Sequence, residues 1–247
     1  MFSQTQIIKR SSDKRYDCSI IIPSWNNSAY LIPCIQSIVN NTNSQVQIIV
    51  FLNESNDNSL NELQKLELSS LDIIHASENK GICWAVNFCR YFVRSDYIIY
   101  LNDDMYVLPG WDEPLLKEAQ SHAGMYSATM IEPLNSGNPC VISKDYGQNI
   151  EDFDENGLLK DYKSFKCNDW MGSTWPPFIV STQIWDLVGG FSLEFSPGFY
   201  SDPDLSCKLV KAGVNRFIGL GNSLVYHFGS KSTKRLVQQN GRNQFIN

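Results

Sequence analysis

From Asp17 onward, short runs of aliphatic residues alternate with stretches whose apolar positions recur every three or four residues. The run CSIIIPSW, which begins at Cys18, is too short for a helix and too uniformly apolar for a surface strand, so it reads as a buried strand entering a loop. Residues 28–41 set Leu31, Ile35, Ile38 and Val39 at helical spacing, with Ser28 as the cap and Pro33 near the first turn. The same logic gives a strand at 45–53, a helix at 56–68, a strand at 71–77 and a helix at 81–95, whose broad apolar face carries Ile82, Ala85, Val86, Phe88, Cys89 and Phe92. A strand at 96–105 then ends in two acids. This alternation predicts an α/β chain with a mostly parallel, Rossmann-like sheet and helices on both faces. Ligands of such sheets sit at the carboxyl ends of the strands, so the loops after Pro23, Leu52, Ser77 and Leu101 are expected to converge.

The second half is less regular. Residues 134–164 are polar, rich in Gly and Asn and weakly periodic, and read as a long excursion or flap. Order returns at 175–191, followed by a helix at 203–212 and strands at 214–220 and 223–227. The tail GRNQFIN stops without an element end, as in a chain cut from a longer protein.

Composition narrows the partners. The 247 residues are 43% hydrophobic and 19% charged, as in ordinary globular proteins. Lys and Arg number 20 against 26 Asp and Glu, and the net charge of −6 argues against a nucleic-acid partner. The apolar runs are too short to span a bilayer, and the polar start lacks a signal-peptide core. Seven cysteines make an odd count without any CxxC pair, so reduced, buried thiols and a cytoplasmic location are expected.

Chemistry concentrates in four places. Asn102-Asp103-Asp104 ends a strand, and two adjacent carboxylates at a sheet mouth repel unless a hard divalent cation and a phosphorylated ligand relieve them. An acidic turn capping the next segment is the plainer reading of the pair. Farther on, Pro197 and Gly198 turn the chain before Asp202 and Asp204 at a helix start. One acid suffices to stabilise a helix N-terminus; Asp204 suits that task and leaves Asp202 free as a general base, although the reverse assignment satisfies the same spacing. His227 ends a strand and is either a structural histidine or a partner of Asp104 on a metal. After it, the segment 229–233, including Lys231, offers amides, hydroxyls and a cation to a diphosphate, or forms a plain surface loop. Finally, Glu78-Asn79-Lys80-Gly81 leads into a helix whose N-terminal amides favour an anion, or is a routine turn and cap. His75 and His122 lack such company. No GxGxxG, GxxxxGK[ST] or GxSxG motif is present.

In order, the fragments SIIIPSWNN, IIVFLNESND, NKGICWAVN, YLNDDM, GGFSLEFSPGFYSDPDLS and VYHFGSKST resemble the family-2 glycosyltransferases of GT-A fold, particularly bacterial enzymes of surface-polysaccharide assembly. The resemblance implies an N-terminal extension (1–16), a nucleotide-binding half (17–105), a smaller mixed acceptor-binding and catalytic half (106–235) and a tail (236–247). It implies inverting transfer from a nucleotide-diphosphate sugar, most often a UDP-sugar, to a glycan or lipid-linked acceptor, with Mn²⁺ or Mg²⁺ as cofactor and peripheral association with the inner face of the membrane. Pro23, Ser24, Asn53 and Glu54 would border the base, although many members have Asp where Asn53 stands. Asn79, Gly81, Asn102 and Asp103 would line the rest of the donor pocket, and Asp104 and His227 would hold the metal. Asp202 matches the family's catalytic base, while Ser201 replaces the Glu before it on the acceptor side. Trp111, Trp170 and Trp175 are candidates for stacking on sugar faces, with core packing as the alternative. A sugar-1-phosphate nucleotidyltransferase and a non-catalytic glycan- or nucleotide-binding module on the same scaffold are the rival functions; the first should carry a Gly-rich basic loop where SWNNSAYL stands.

Overall fold

The computed structural model describes residues 5–165, 167–172, 175–196 and 198–229. The first part contains strands β1 (Thr5–Ile8), β2 (Cys18–Ser24), β3 (Val46–Asn53), β4 (Leu71–Ala76) and β5 (Tyr97–Tyr100), with helices α1 (Ser28–Asn41), α2 (Ser59–Lys65) and α3 (Gly81–Cys89). The second part contains β6 (Met105–Val107), α4 (Asp112–Ser121), β7 (Met125–Glu132), β8 (Val141–Ser143), α5 (Glu155–Asp161), β9 (Trp170–Met171), β10 (Phe178–Ser181), α6 (Thr182–Val188), α7 (Ser201–Lys211) and β11 (Phe217–His227).

All strands belong to one sheet, ordered β1-β4-β3-β2-β5-β10-β7-β11-β6, with β8 on β7 and β9 on β11. The β4-β3-β2-β5 block is parallel, whereas β10 runs antiparallel to both β5 and β7. The second part is therefore mixed, as expected. Because β10 reverses direction twice over, β7 runs parallel to β5, and β11 runs parallel to β7. The carboxyl ends of β2, β3, β4, β5, β7 and β11 thus share one edge of the sheet.

The apolar runs are continuous because both faces are covered. Ile20, Ile22, Ile48 and Val50 face α1, α2 and α4 through Leu31, Ile35, Ile38, Leu63 and Leu115. Their neighbours Ile21, Ile49 and Phe51 face α3, α6 and α7 through Val86, Trp185, Leu205 and Leu209. Strand periodicity divides each run between two cores.

Several boundaries differ from expectation. The helix at 81–95 ends at Cys89 and closes in a 3₁₀ turn, Arg90–Phe92. The strand at 96–105 breaks after Tyr100, because the chain must leave the sheet to present Asp103 and Asp104 before rejoining as β6. The two strands at 214–220 and 223–227 are one, β11, with a register shift between Leu220 and Leu224. The 134–164 excursion is held down: Leu158 is fully buried, and Phe153, Tyr146 and Tyr162 pack on Tyr226 and Phe228. The N-terminal extension contributes β1, antiparallel to β4, and its Ser11 and the Arg10 amide bond to buried Asp72.

Candidate active site

At the shared edge, β2 and β3 deliver two loops that hold each other. The Asn56 amide donates to Asn26 Oδ1 at 2.7 Å, and Asp57 accepts from the Ser28 and Ser59 amides at 2.9 and 3.0 Å, so one carboxylate serves the first turns of both α1 and α2. Burial opposes the Asp57 charge, but those donors outweigh it and hold its carboxyl below the usual range. Pro23 and Ser24 are buried at the end of β2, and the Ser24 hydroxyl has no hydrogen-bond partner among the described residues.

Asn53 and Glu54 grip the next loop. Asn53 Oδ1 accepts from the Lys80 amide at 2.7 Å, Glu54 Oε2 accepts from the Asn79 amide at 3.3 Å, and Asn79 Oδ1 accepts from the Gly81 amide at 2.9 Å. Gly81 has φ of 78° and opens α3. Asn26, Glu54 and Tyr200 are the described non-glycine residues with left-handed φ, and each lies in a loop adjoining this site. Strained backbone of this kind persists where the surroundings over-determine it, often at functional sites.

Asp103 and Asp104 are buried, 3% and 2% exposed, in the turn between β5 and β6. His227 lies opposite Met105 on the antiparallel β6, which brings its Nε2 to 3.4 Å from Asp104 Oδ1. On the other flank its Nδ1 lies 2.7 Å from Glu132 Oε1. Burial alone would lower the imidazole's pKa, but Asp104 and Glu132 reverse that and push it up to about 10. Glu132 was not anticipated from sequence; it ends β7 beside the end of β11, and the strand order that makes them neighbours is not visible in the chain.

Among the described residues, no cluster of three or more His, Cys, Asp or Glu side chains is arranged as a complete metal site. The pair does suit a shared ligand: His227 Nε2 is buried without a hydrogen-bond partner and points at a carboxylate, a donor set of the borderline-hard kind that takes Mn²⁺ or Mg²⁺ with further oxygens from a diphosphate.

The two acids of α7 part company. Asp204 accepts from the Ser192 hydroxyl at 2.6 Å and pairs with Lys208 Nζ at 3.7 Å. Asp202 is partly exposed, yet its Oδ1 is closed off and unpartnered among the described residues, and burial pushes its carboxyl up to about 7. The segment before it rests on the start of α3: Ser196 donates to the Lys80 carbonyl at 3.0 Å, and Gly198 lies against Ile82 where a Cβ would be tight. Buried Tyr100 is pushed well above its ordinary range by burial, then by the charges of Asp202, Cys83, Asp103 and Asp104. Asp202 and the Asp103-Asp104 pair thus lie within electrostatic reach of one buried phenol.

The remaining expected residues have varied surroundings. Asn102 is half-buried, with its carbonyl near the Cys34 thiol. Ser201 is buried and donates to the Gly198 carbonyl at 2.7 Å, so its hydroxyl closes a turn. Trp111 and Trp170 are core residues: each indole N–H donates to a threonine hydroxyl at 3.0 Å, and Trp170 covers Gly219 so closely that a Cβ there would collide with the ring. Trp175 is 46% exposed. Lys231 and the tail lie outside the described residues.

With this geometry in place, relatives can be compared. A model of the family described as glycosyl transferase family 2 matches residues 19–172. The chain belongs to that family, which removes the nucleotidyltransferase alternative. It is 24% identical over 232 residues to a chondroitin synthase of Escherichia coli and 33% identical over 230 residues to a hyaluronan synthase of Pasteurella multocida. These matches cover 93% and 92% of this chain but 32% and 22% of those proteins, so the chain spans less than a third of either relative. Among solved structures, Staphylococcus aureus TarS 1–349 in complex with UDP superposes with a TM-score of 0.63 at 15% identity, over 85% of this chain and 59% of that one, and shares the GT-A fold. No helix among the described residues is long and apolar enough to cross a membrane.

Proposed function

We propose that this chain is an inverting, metal-assisted glycosyltransferase that moves a sugar from a nucleotide-diphosphate donor, a UDP-sugar, onto a growing polysaccharide or its lipid-linked precursor, at the cytoplasmic face of the membrane. The observation that carries the reading is the Asp202 carboxyl, pushed up to about 7 by burial and within electrostatic reach of the same buried Tyr100 as Asp103 and Asp104, of which Asp104 faces His227. Kinship with the polysaccharide synthases supports the acceptor class, and the UDP in TarS supports the donor.

Pro23, Ser24, Asn53 and Glu54 would border the base. Asn53, whose Oδ1 accepts from the Lys80 amide, would present its remaining polar groups to the base. Asn79, Gly81, Asn102 and Asp103 would line the remainder of the donor pocket. Asp104 and His227 would hold Mn²⁺ or Mg²⁺, which when bound neutralises charge on the departing diphosphate. Asp202 would take the proton from the acceptor hydroxyl as that oxygen attacks the anomeric carbon, which inverts the centre. Trp175 offers its exposed face to the apolar side of an acceptor sugar.

The test compares wild type, Asp202→Asn and Asp104→Ala in UDP-release assays over a panel of UDP-sugars, with calorimetry of UDP and Mn²⁺. Asp202→Asn should lose at least about 100-fold in turnover while keeping UDP affinity, and Asp104→Ala should lose the Mn²⁺ dependence of UDP binding. Loss of UDP affinity in Asp202→Asn would put that residue in the wrong role, and wild type that binds UDP without transferring any sugar would favour a non-catalytic module.

A further inference from the structure

Glu132 is not in the set above, yet the sheet puts it where it matters. Tyr226 lies opposite Ile131 in the parallel β7–β11 pairing, so the next residues on each strand, Glu132 and His227, are lateral neighbours although 95 residues apart in sequence. On the other side of β11, His227 pairs with Met105, directly after Asp104, and the Phe228 amide donates to the Asp104 carbonyl at 3.2 Å. The imidazole is thus flanked by a carboxylate on each ring nitrogen. An ionised carboxylate only accepts, so the Glu132 contact at 2.7 Å obliges Nδ1 to carry a proton. Nε2, buried, 3.4 Å from Asp104 Oδ1 and without a hydrogen-bond partner among the described residues, is then the nitrogen that would give up its proton and offer a lone pair to a cation on the Asp104 side.

We propose that Glu132 is a positioning residue that fixes the tautomer and ring plane of His227 so that Nε2 ligates the divalent cation. This rests on the metal reading given above. Glu132 itself sits on the far ring nitrogen and is not a ligand. Outer carboxylates of this kind make an imidazole a better donor, and their removal costs about 10- to 100-fold in metal affinity.

The experiment measures Mn²⁺ binding in the presence of UDP by titration with electron paramagnetic resonance, and reads ¹⁴N modulation from a coordinated imidazole in the pulsed spectrum. Glu132→Leu should bind Mn²⁺ about 10- to 100-fold more weakly and lose the nitrogen modulation. Glu132→Gln, whose carbonyl still accepts from Nδ1–H, should restore the modulation and most of the affinity. Thermal melts of each variant identify any that fails to fold, and the glutamine variant then carries the test through its retained nitrogen signal. Glu132→Leu with wild-type affinity and modulation, beside weakened His227→Ala and Asp104→Ala, would overturn the Glu132 role alone. Unchanged Mn²⁺ affinity in His227→Ala and Asp104→Ala would overturn the metal reading and this proposal with it.

Discussion

Asp202 and Asp204 are two positions apart on one helix turn and have opposite surroundings. Asp204 is spent on Ser192 and Lys208; Asp202 has a buried Oδ1 with no hydrogen-bond partner among the described residues. The folded Asp202 carboxyl near 7 stands above its ordinary 3.8, so between those values the native state holds a proton that the unfolded chain releases. Its contribution to stability therefore falls as pH rises through that window. Two outcomes follow from the sign. Asp202→Asn should melt higher than wild type at pH 8, with the gap closing toward pH 4, as scanning calorimetry across pH will show. In wild type, kcat/KM should climb as pH rises through about 7, because only the ionised carboxylate accepts a proton; a flat profile from pH 5 to 8 would remove Asp202 as the base.

Among the elements, α1 and α2 show how a capping group also builds the site. Neither first-turn flanking residue, Asn27 or Asn58, caps its helix through its side chain; Asp57 accepts from both first turns instead. Asp57→Ala should cost about 1–2 kcal/mol, lowering the melting temperature by roughly 2–4 °C per kcal/mol, and should also weaken UDP binding, since the 24–28 and 54–59 loops lose a tie. Equal UDP affinity would show that the loops hold their places without it. The strands of the first half were legible because each is an uninterrupted aliphatic run bounded by polar loops. Strand β1 was not: TQII is short and half exposed, and its pairing with β4 depends on a partner over sixty residues away. The break at 101–104 was hidden for a different reason. YIIYL continues the strand pattern up to the acids, and nothing in that pattern marks the turn at 101–104 that carries the buried Asp103 and Asp104. Candidate residues next to recognisable motifs, such as Asp104 and Asp202, are proposed from the chain alone. Glu132 could not be, because MYSATMIE gives no sign of its neighbour, and Trp170 could not be sorted from Trp175 without knowing that Gly219 lies beneath it.

Across the whole molecule, the two halves expected to meet at 105/106 share one sheet, and that position falls inside β6. The sheet runs unbroken through the β5–β10 joint, where Phe178 lies opposite Tyr100, and Asn41 of α1 donates to the Val107 carbonyl at 2.8 Å. Unfolding should therefore be a single calorimetric transition with equal van't Hoff and calorimetric enthalpies; two resolved transitions would mean that the halves hold together only loosely.

The ring cluster beside His227 joins distant parts of the chain. Phe228 meets Tyr30 of α1 at 5.3 Å between centroids and Phe153 of the excursion at 5.0 Å, while Phe153 stacks on Tyr226 at 5.2 Å. His227 is therefore clamped between two aromatic neighbours whose footing is in the most irregular stretch of the protein. Lengthening or trimming residues 144–164, after β8, would shift that footing, and the disturbance would reach the His227 imidazole through Tyr226 and Phe228.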